Sequence, residues 1–600
     1  MKKFRAIALT MAVLAGASSI HPAQVQAALT FPEAYPALSE YATGTEKCQA
    51  LNTMFPGTRS QGVYSGCWAF SSMGAAEFNA VKKGYADPSI DLSETQTIYN
   101  LLKASKDPLG LMNDSRRLTW DGSFDIQGAN LDAAFRAMAQ SSSFMTEKKL
   151  PYEKMERVFT SKAKRNFLSG TSNLRLKDCG IVPLEKSLDR NKKIIKKMIT
   201  KYGAACINVD SVDQFEYIRY LKGGASYYVP KMKDYDHAVM IIGWDDHYGR
   251  GKFSKRAPGN GAWLVRNSWN INGTDFNFYD YFWLSYYDHS YRNHVYTDNA
   301  CYVEVTNENL GDRIYQYDGG CGGGYEVAYP KVANSFVAQQ DETLRSVMIE
   351  SSGAGTLMIY GGDVTKKDPT RGTLLGMQKL SKHWGVGYHN VALKNPIQLK
   401  AGERFTVVVA GEPGVTIESS YDYLQTANNV NFKERVKSKP GESYYYTAWV
   451  DEKGRQWQDT ADSKMGNLRI KACTGADTVT ESSLEQVQRK QQEGIATYLP
   501  PTPKVSAGYQ KERSRNSAKV TWKQDETAKE YSLTCYNVCR KIKGEKAKTI
   551  GKATVDETGT VTYYDDKIPT AKGTKVTYWI RAVAGKQTSG KSEAVTVTVK

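Results

Sequence analysis

The chain has 600 residues, too many for a single core and enough for about three or four domains. Apolar residues make up 40% and charged residues 24%, a balance that excludes a largely disordered chain. The 80 Lys and Arg outnumber 63 Asp and Glu, for a formal charge of +17, but the basic residues are spread out rather than clustered with aromatics, which argues against nucleic acid as a partner.

The N-terminus speaks to compartment. Lys2, Lys3 and Arg5 precede a short apolar run from Ala6 to Ala17, and Val25-Gln26-Ala27 offers small residues for cleavage. Residues 1–27 therefore read as a secretory signal peptide. The run falls short of the roughly 20 apolar residues a membrane span needs, and no later run reaches that length. A soluble, secreted chain starting near Ala28 is expected, extracellular or held in the cell envelope, a periplasmic location included. Nine cysteines, an odd count, leave at least one thiol unpaired within an exported chain. Cys67 is the candidate for that thiol, and the other eight can pair. No Cys-x-x-Cys occurs, and no cysteines and histidines stand at zinc-ligand spacing, so no metal is expected.

Residues 28–300 read as an α+β domain. Gly66 to Lys83 carries Ala69, Phe70, Met73, Ala76, Phe78 and Val81 at helical intervals. Leu92-Ser93-Glu94-Thr95-Gln96 has the form of a capped helix start, and Asn130 to Gln140 sets Leu131, Ala134, Phe135 and Met138 on one helical face. The period then changes. Ala204 to Val209, His237 to Trp244, Gly261 to Arg266 and Tyr281 to Tyr286 read as strands. A helical half followed by a β half fits two lobes with a cleft between them.

The chemistry-bearing string is Gln61-Gly62-Val63-Tyr64-Ser65-Gly66-Cys67-Trp68-Ala69-Phe70. It sets a thiol at a helix start, where backbone N–H groups and the helix dipole favour thiolate. His237 is the base: of the six histidines after residue 28 it has an aliphatic strand, Ala238 to Ile242, directly behind it. Asp236-His237-Ala238-Val239, Asn267-Ser268-Trp269 and the Cys67 string together resemble the papain family of cysteine peptidases. The resemblance implies a two-lobe fold and a Cys-His-Asn site. Cys67 is then the nucleophile, its thiol depressed by pairing with His237, and Asn267 orients the imidazole. Gln61 donates its amide to the oxyanion, Trp269 shields the His–Asn contact at the substrate-binding cleft, and Gly128 marks a loop where substrate backbone pairs. Protein or peptide substrates are implied, with no cofactor.

The match has departures. Tyr64 stands where the family usually has a second cysteine, so the disulfide near the site is missing. Asp236 replaces an asparagine before the histidine. Cys67 and His237 lie 237 − 67 = 170 positions apart, more than the roughly 130–150 of relatives, which implies insertions around Lys103 to Arg117 and Lys154 to Asn191. About 33 residues between the cleavage site and Gln61 leave no room for a large inhibitory propeptide.

From 301 to 475 short β runs dominate: Ala333 to Val337, Thr343 to Glu350, Thr356 to Tyr360, Phe405 to Ala410 and Leu468 to Ala472, separated by glycine-rich turns such as Gly319 to Gly324. Ile314-Tyr315-Gln316-Tyr317-Asp318, directly behind a peptidase, resembles the lectin-like domain appended to some bacterial papain-like enzymes, which implies attachment to glycans or cell-surface components. Residues 476–503 read as a linker, a short helix and then the stiff Pro500-Pro501-Thr502-Pro503. Residues 504–600 resemble a fibronectin type III sandwich, with Trp522 early and Tyr578 as the corner tyrosine capping a backbone group. Two other functions fit parts of this pattern: a surface adhesin with an idle peptidase fold, and a Cys-His peptidoglycan hydrolase.

Overall fold

The structure is a computed structural model. It describes residues 54–599 apart from 212–213, 222–223, 232–235, 271–277, 290–298, 363–364, 366, 413, 420, 428–429, 494, 497, 530, 532, 534, 556–558 and 585–586. The expected signal peptide, its cleavage site and Cys48 lie outside the described residues.

The expected helices form with small shifts at their ends. The helix that opens at Cys67 spans Cys67–Lys82 and buries every residue from Trp68 to Val81, because it runs through the middle of the α half. Helix Glu94–Leu102 begins after Ser93, as expected, but the Ser93 hydroxyl does not cap it; it donates to the Leu150 carbonyl at 2.5 Å and ties the helix start to the next loop instead. Helix Leu131–Met138 buries Leu131, Ala134, Phe135 and Met138 as its periodicity requires.

The β half is not a sheet of its own. One 12-stranded sheet runs from Ile218–Leu221 at one edge, through His237–Asp245, Ala205–Val209 and Asn299–Thr306, to Arg313–Tyr315 at the other. Strand Asn299–Thr306 crosses position 300 and pairs with Arg175–Pro183 along its length. Arg175–Pro183 then meets Gly387–Leu399 of the following β region through the pair His389 and Asp178. The backbones close tightly there: a Cβ at Gly387 would lie 2.0 Å from the Cys179 carbonyl oxygen. The stretch around Lys103 to Arg117 supplies a second tie, since strand Ser115–Trp120 pairs antiparallel with Val430–Val436.

Residues 301–475 form a β-sandwich. A six-stranded sheet built on Arg404–Glu412 and Lys331–Val337 packs Phe336, Phe405, Val407 and Leu357 against Leu344, Val347 and Ile470 of the long sheet. The segment read as a linker is packed at both ends. Helix Ser483–Glu493 lies on this sandwich, with the Ser483 hydroxyl accepting from the Gln398 N–H, while Ile495 and Tyr498 enter the C-terminal core. Residues 504–599 form two sheets around Trp522, Tyr536, Val538 and Ile580. Tyr578 departs from its expected role: its hydroxyl donates to the Asp565 carboxylate at 2.9 Å, not to backbone, because Arg540 holds that carboxylate in the core.

All eight described cysteines are free thiols. The disulfides that an exported chain leads one to expect are therefore not among them. Cys206 and Cys301 face each other across neighbouring strands, and with Cys179 they sit in the core beneath the Cys67–Lys82 helix as small apolar side chains.

Candidate active site

The Cys67–Lys82 helix is held against the strand His237–Asp245 by close approach at Gly74, where a Cβ would lie 2.6 Å from both Met240 Sδ and Arg266 Nη1. That packing sets Cys67, the first residue of the helix, beside His237, the first residue of the strand. The peptide N–H of Ala238, next to His237, hydrogen-bonds the Cys67 thiol. Both residues line one cleft of about 990 Å³, along with Gln61, Gly128 and Trp269.

His237 is buried and commits Nε2 to Asn267 Oδ1 at 2.7 Å, leaving Nδ1 as the ring nitrogen open to the cleft. Asn267 is itself locked. Its Nδ2 donates to the Phe278 carbonyl at 2.7 Å and its Oδ1 also accepts from the Ser268 N–H at 2.8 Å. The Trp269 ring lies over the imidazole, centroid to centroid 4.0 Å at 19°, and so covers the His–Asn contact. Gln61 is buried, with Oε1 accepting from the Ser268 hydroxyl at 2.8 Å and Nε2 donating to the Tyr64 carbonyl at 2.9 Å. One N–H of that amide is left over. Gly128 is exposed on the cleft, with open space where a side chain would be.

Electrostatics departs from the expected depressed thiol. Burial pushes the Cys67 thiol up, and Asp236 adds to this; the N–H groups of Ala238 and Trp68 pull the other way without overcoming it. Burial pushes His237 down to about 4, against the upward pull of the Asn267 hydrogen bond and of Asp236. Taken singly, each group is driven to its neutral form, because the dry cleft penalises a lone charge. The resting pair is therefore a neutral thiol beside a neutral imidazole. Asp236 accepts from the Ser211 N–H and hydroxyl at 2.6 and 2.7 Å.

Sequence reading missed three contributors. Tyr152, which has no local signature, donates its hydroxyl to the Gln61 carbonyl at 2.9 Å, and Ser268, quoted within Asn267-Ser268-Trp269 but given no role of its own, orients the Gln61 amide. The run Gly319 to Gly324 had one, but it read as a turn. Cys321 to Gly324 instead line the same cleft from the β-sandwich side.

Asp178, His383 and His389 also converge, with ligand atoms within 4.8 Å of one another. The two imidazoles lie face to face, 3.4 Å apart at 3°, so a single metal ion cannot lie in the plane of both. His389 moreover has both nitrogens engaged, Nδ1 with Asp178 at 2.7 Å and Nε2 with the Ser351 carbonyl at 2.9 Å.

Comparison with known proteins adds the following. Residues 49–303 match the family profile described as papain family cysteine protease, and residues 314–474 that described as lectin like domain. Cathepsin Q of Rattus norvegicus is 29% identical over 212 residues, 35% of this chain and 50% of that protein. Cathepsin L of Sarcophaga peregrina is 29% identical over 216 residues, 36% of this chain and 51% of that protein. The chain thus spans about half the length of the curated relatives it matches. The solved clostridial cysteine protease Cwp84, after propeptide cleavage, shares the fold with a TM-score of 0.53 at 23% identity, covering 72% of this chain and 98% of that one. A second structure holds the cysteine protease and lectin-like domains of Cwp84, described as a surface layer associated protein of Clostridium difficile; it has a TM-score of 0.52 at 23% identity, covering 72% of this chain and 88% of that one.

Proposed function

We propose that this chain, which carries a papain family cysteine protease domain at residues 49–303 and a lectin-like domain at 314–474, is an exported cysteine endopeptidase. The observation that carries the reading is the 2.7 Å bond from His237 to Asn267 within the cleft that Cys67 also lines. In this reaction His237 Nδ1 takes the thiol proton and the sulfur attacks a peptide carbonyl carbon. The oxyanion is met by the free N–H of the Gln61 amide and by the Cys67 backbone N–H. The tetrahedral adduct collapses as the C–N bond breaks, and His237 returns its proton to the leaving amine. Water, deprotonated by the same ring, then attacks the thioester and frees Cys67. Trp269 keeps water off the His–Asn bond throughout.

Export and surface attachment belong to the same proposal. The charged and apolar start of the chain supports secretion or residence at the cell envelope. Among the described residues no helix is long and apolar enough to cross a membrane. The lectin-like domain is proposed to hold the enzyme near glycans or other surface components, and residues 504–600 to act as a fibronectin type III-like spacer.

The test is Cys67→Ala in the full chain. Casein hydrolysis should fall by about a million-fold, as on removal of other enzymes' nucleophiles. Substantial residual hydrolysis sinks the mechanism. Cleavage of purified cell wall with no cleavage of casein gives the site to a peptidoglycan hydrolase, and a wild-type chain inert on both is the idle adhesin.

A further inference from the structure

Strand Arg313–Tyr315, near the start of the β-sandwich, pairs antiparallel with Ile470–Ala476, near its end. Where these strands meet, a lysine touches a carboxylate out of reach of water. Lys471 Nζ lies 2.7 Å from Asp318 Oδ2, and both side chains are fully buried. The amine is held from other sides as well. It donates to Gln316 Oε1 at 2.7 Å and to the Asp318 carbonyl at 3.1 Å, and it sits 5.2 Å from the centre of the buried Tyr388 ring. The Tyr388 hydroxyl donates to the same Asp318 Oδ2.

Two carboxyl oxygens here are left over. Asp318 Oδ1 and Glu418 Oε2 are buried and make no hydrogen bond among the described residues. Glu418 comes from strand Thr416–Glu418, and its other oxygen accepts from the Gly320 N–H at 2.7 Å. Burial first, and then the neighbouring Asp318, hold the Glu418 carboxyl well above the usual carboxylate range, against the pull of Arg469 and the Gly320 N–H, so it keeps its proton. The cluster is therefore an amine in contact with a carboxylate, with a protonated acid nearby. A buried ion pair with an orphaned oxygen is a costly resting state, since both charges have lost their water.

We propose that Lys471 and Asp318 condense into an amide inside the folded β-sandwich, with Glu418 as the acid–base group, so that a covalent bond joins the two ends of the domain. A proton passes from Nζ to the Asp318 carboxylate, leaving a free amine and a carboxylic acid. The amine attacks Asp318 Cγ. The Nζ–Cγ bond forms and the Cγ–Oδ1 bond breaks; Glu418 gives its proton to the departing oxygen and takes one from the nitrogen, so one water leaves and Glu418 is restored. Nothing is oxidised or reduced. Two buried charges and the orphaned oxygen disappear, and Oδ2 keeps the Tyr388 hydroxyl. Contact between the reacting groups supplies the drive that free amines and carboxylates lack in water. The link closes 471 − 318 = 153 positions, nearly all of the lectin-like region 314–474, and a loop that long strongly restricts the unfolded chain. This goes beyond the peptidase reading and does not depend on it.

The experiment is tandem mass spectrometry of a tryptic digest of the full chain. Trypsin should fail to cut after Lys471, and the peptide Ile314–Lys331 should appear joined to Ile470–Arg489, lighter than the two together by one water, with the fragment ions placing the link at Asp318 and Lys471. Both peptides free, with cleavage after Lys471, overturns the proposal. A cyclic imide at Asp318-Gly319 also loses water but leaves the peptides separate, and that result overturns it too. Lys471→Met and Asp318→Ala should abolish the joined peptide and lower the midpoint of thermal unfolding. If either variant fails to fold, the wild-type digest decides alone. In Glu418→Gln, followed from the time of synthesis, the joined peptide should accumulate about a hundredfold more slowly or worse, the contribution an acid–base group makes. Accumulation at the wild-type rate in that variant overturns the part given to Glu418.

Discussion

His237 and His389 occupy settings that differ in one respect. Both are buried, at 3% and 2% exposure, both stack on a second ring, and both hold a side-chain oxygen at 2.7 Å. His237 has a neutral amide on Nε2 and the cleft on Nδ1. His389 has a carboxylate on one nitrogen and a carbonyl on the other. An imidazole with one free nitrogen beside a thiol can carry a proton between reactants. An imidazole with acceptors on both sides can only hold two strands together, here Gly387–Leu399 and Arg175–Pro183. Availability of a lone pair, not burial or stacking, separates the proposed base from the fastener.

The largest break in that comparison is Asn267→Ala. It frees the second nitrogen of His237, letting the ring turn and change tautomer. kcat/KM on a peptide substrate, measured per folded molecule, should fall by roughly 100- to 10,000-fold, the range spanned by misplaced general bases, and stability should drop by about 1–3 kcal/mol because the buried Phe278 carbonyl and Ser268 N–H lose their partner. An unchanged kcat/KM would show that the Nε2 contact is structural, as at His389.

Next comes pH. His237 accepts the thiol proton only while neutral, and its titration is pushed down to about 4, so kcat/KM should hold to mildly acidic pH and drop near 4. The same downward shift bears on stability. Between about 4 and 6.5 the unfolded chain binds a proton at this position that the folded one refuses, so stability is lost as pH falls across that window. Asp236 raises both His237 and Cys67, so Asp236→Asn should move the acid limb of kcat/KM to lower pH. A limb that moves upward contradicts the assignment.

The smallest effect on rate belongs to His389→Ala. Cleavage of a short peptide should proceed at the wild-type rate per folded molecule. Denaturant unfolding should show a loss of roughly 1–3 kcal/mol, the cost of leaving the Ser351 carbonyl without its buried donor and Asp178 with the Tyr302 hydroxyl alone. A fall in kcat as deep as that of Asn267→Ala would erase the distinction between the two rings.

Short-range patterns carried much of this molecule. The period of Cys67–Lys82 and the aliphatic run behind His237 announce a buried helix and a buried strand, and Cys67 and His237 sit at the starts of each, because amphipathicity and local string are properties of neighbouring residues. The β-sandwich after residue 300 was legible for the same reason. Tertiary structure alone decided the rest. The titration of Cys67 depends on how dry the cleft is, and the helix terminus visible in the sequence was outweighed by burial. Ser93 and Tyr578 found partners, Leu150 and Asp565, that no local rule selects. Gly322 to Gly324 read as a turn because three glycines in a row say only that the backbone is unencumbered; that they wall the cleft of a cysteine 255 positions earlier (322 − 67) follows from Arg136, Glu434 and Arg469 meeting around them. Such contacts close long loops and depend on which faces the sheet brings together, a free energy shared over many residues rather than recorded in any one stretch.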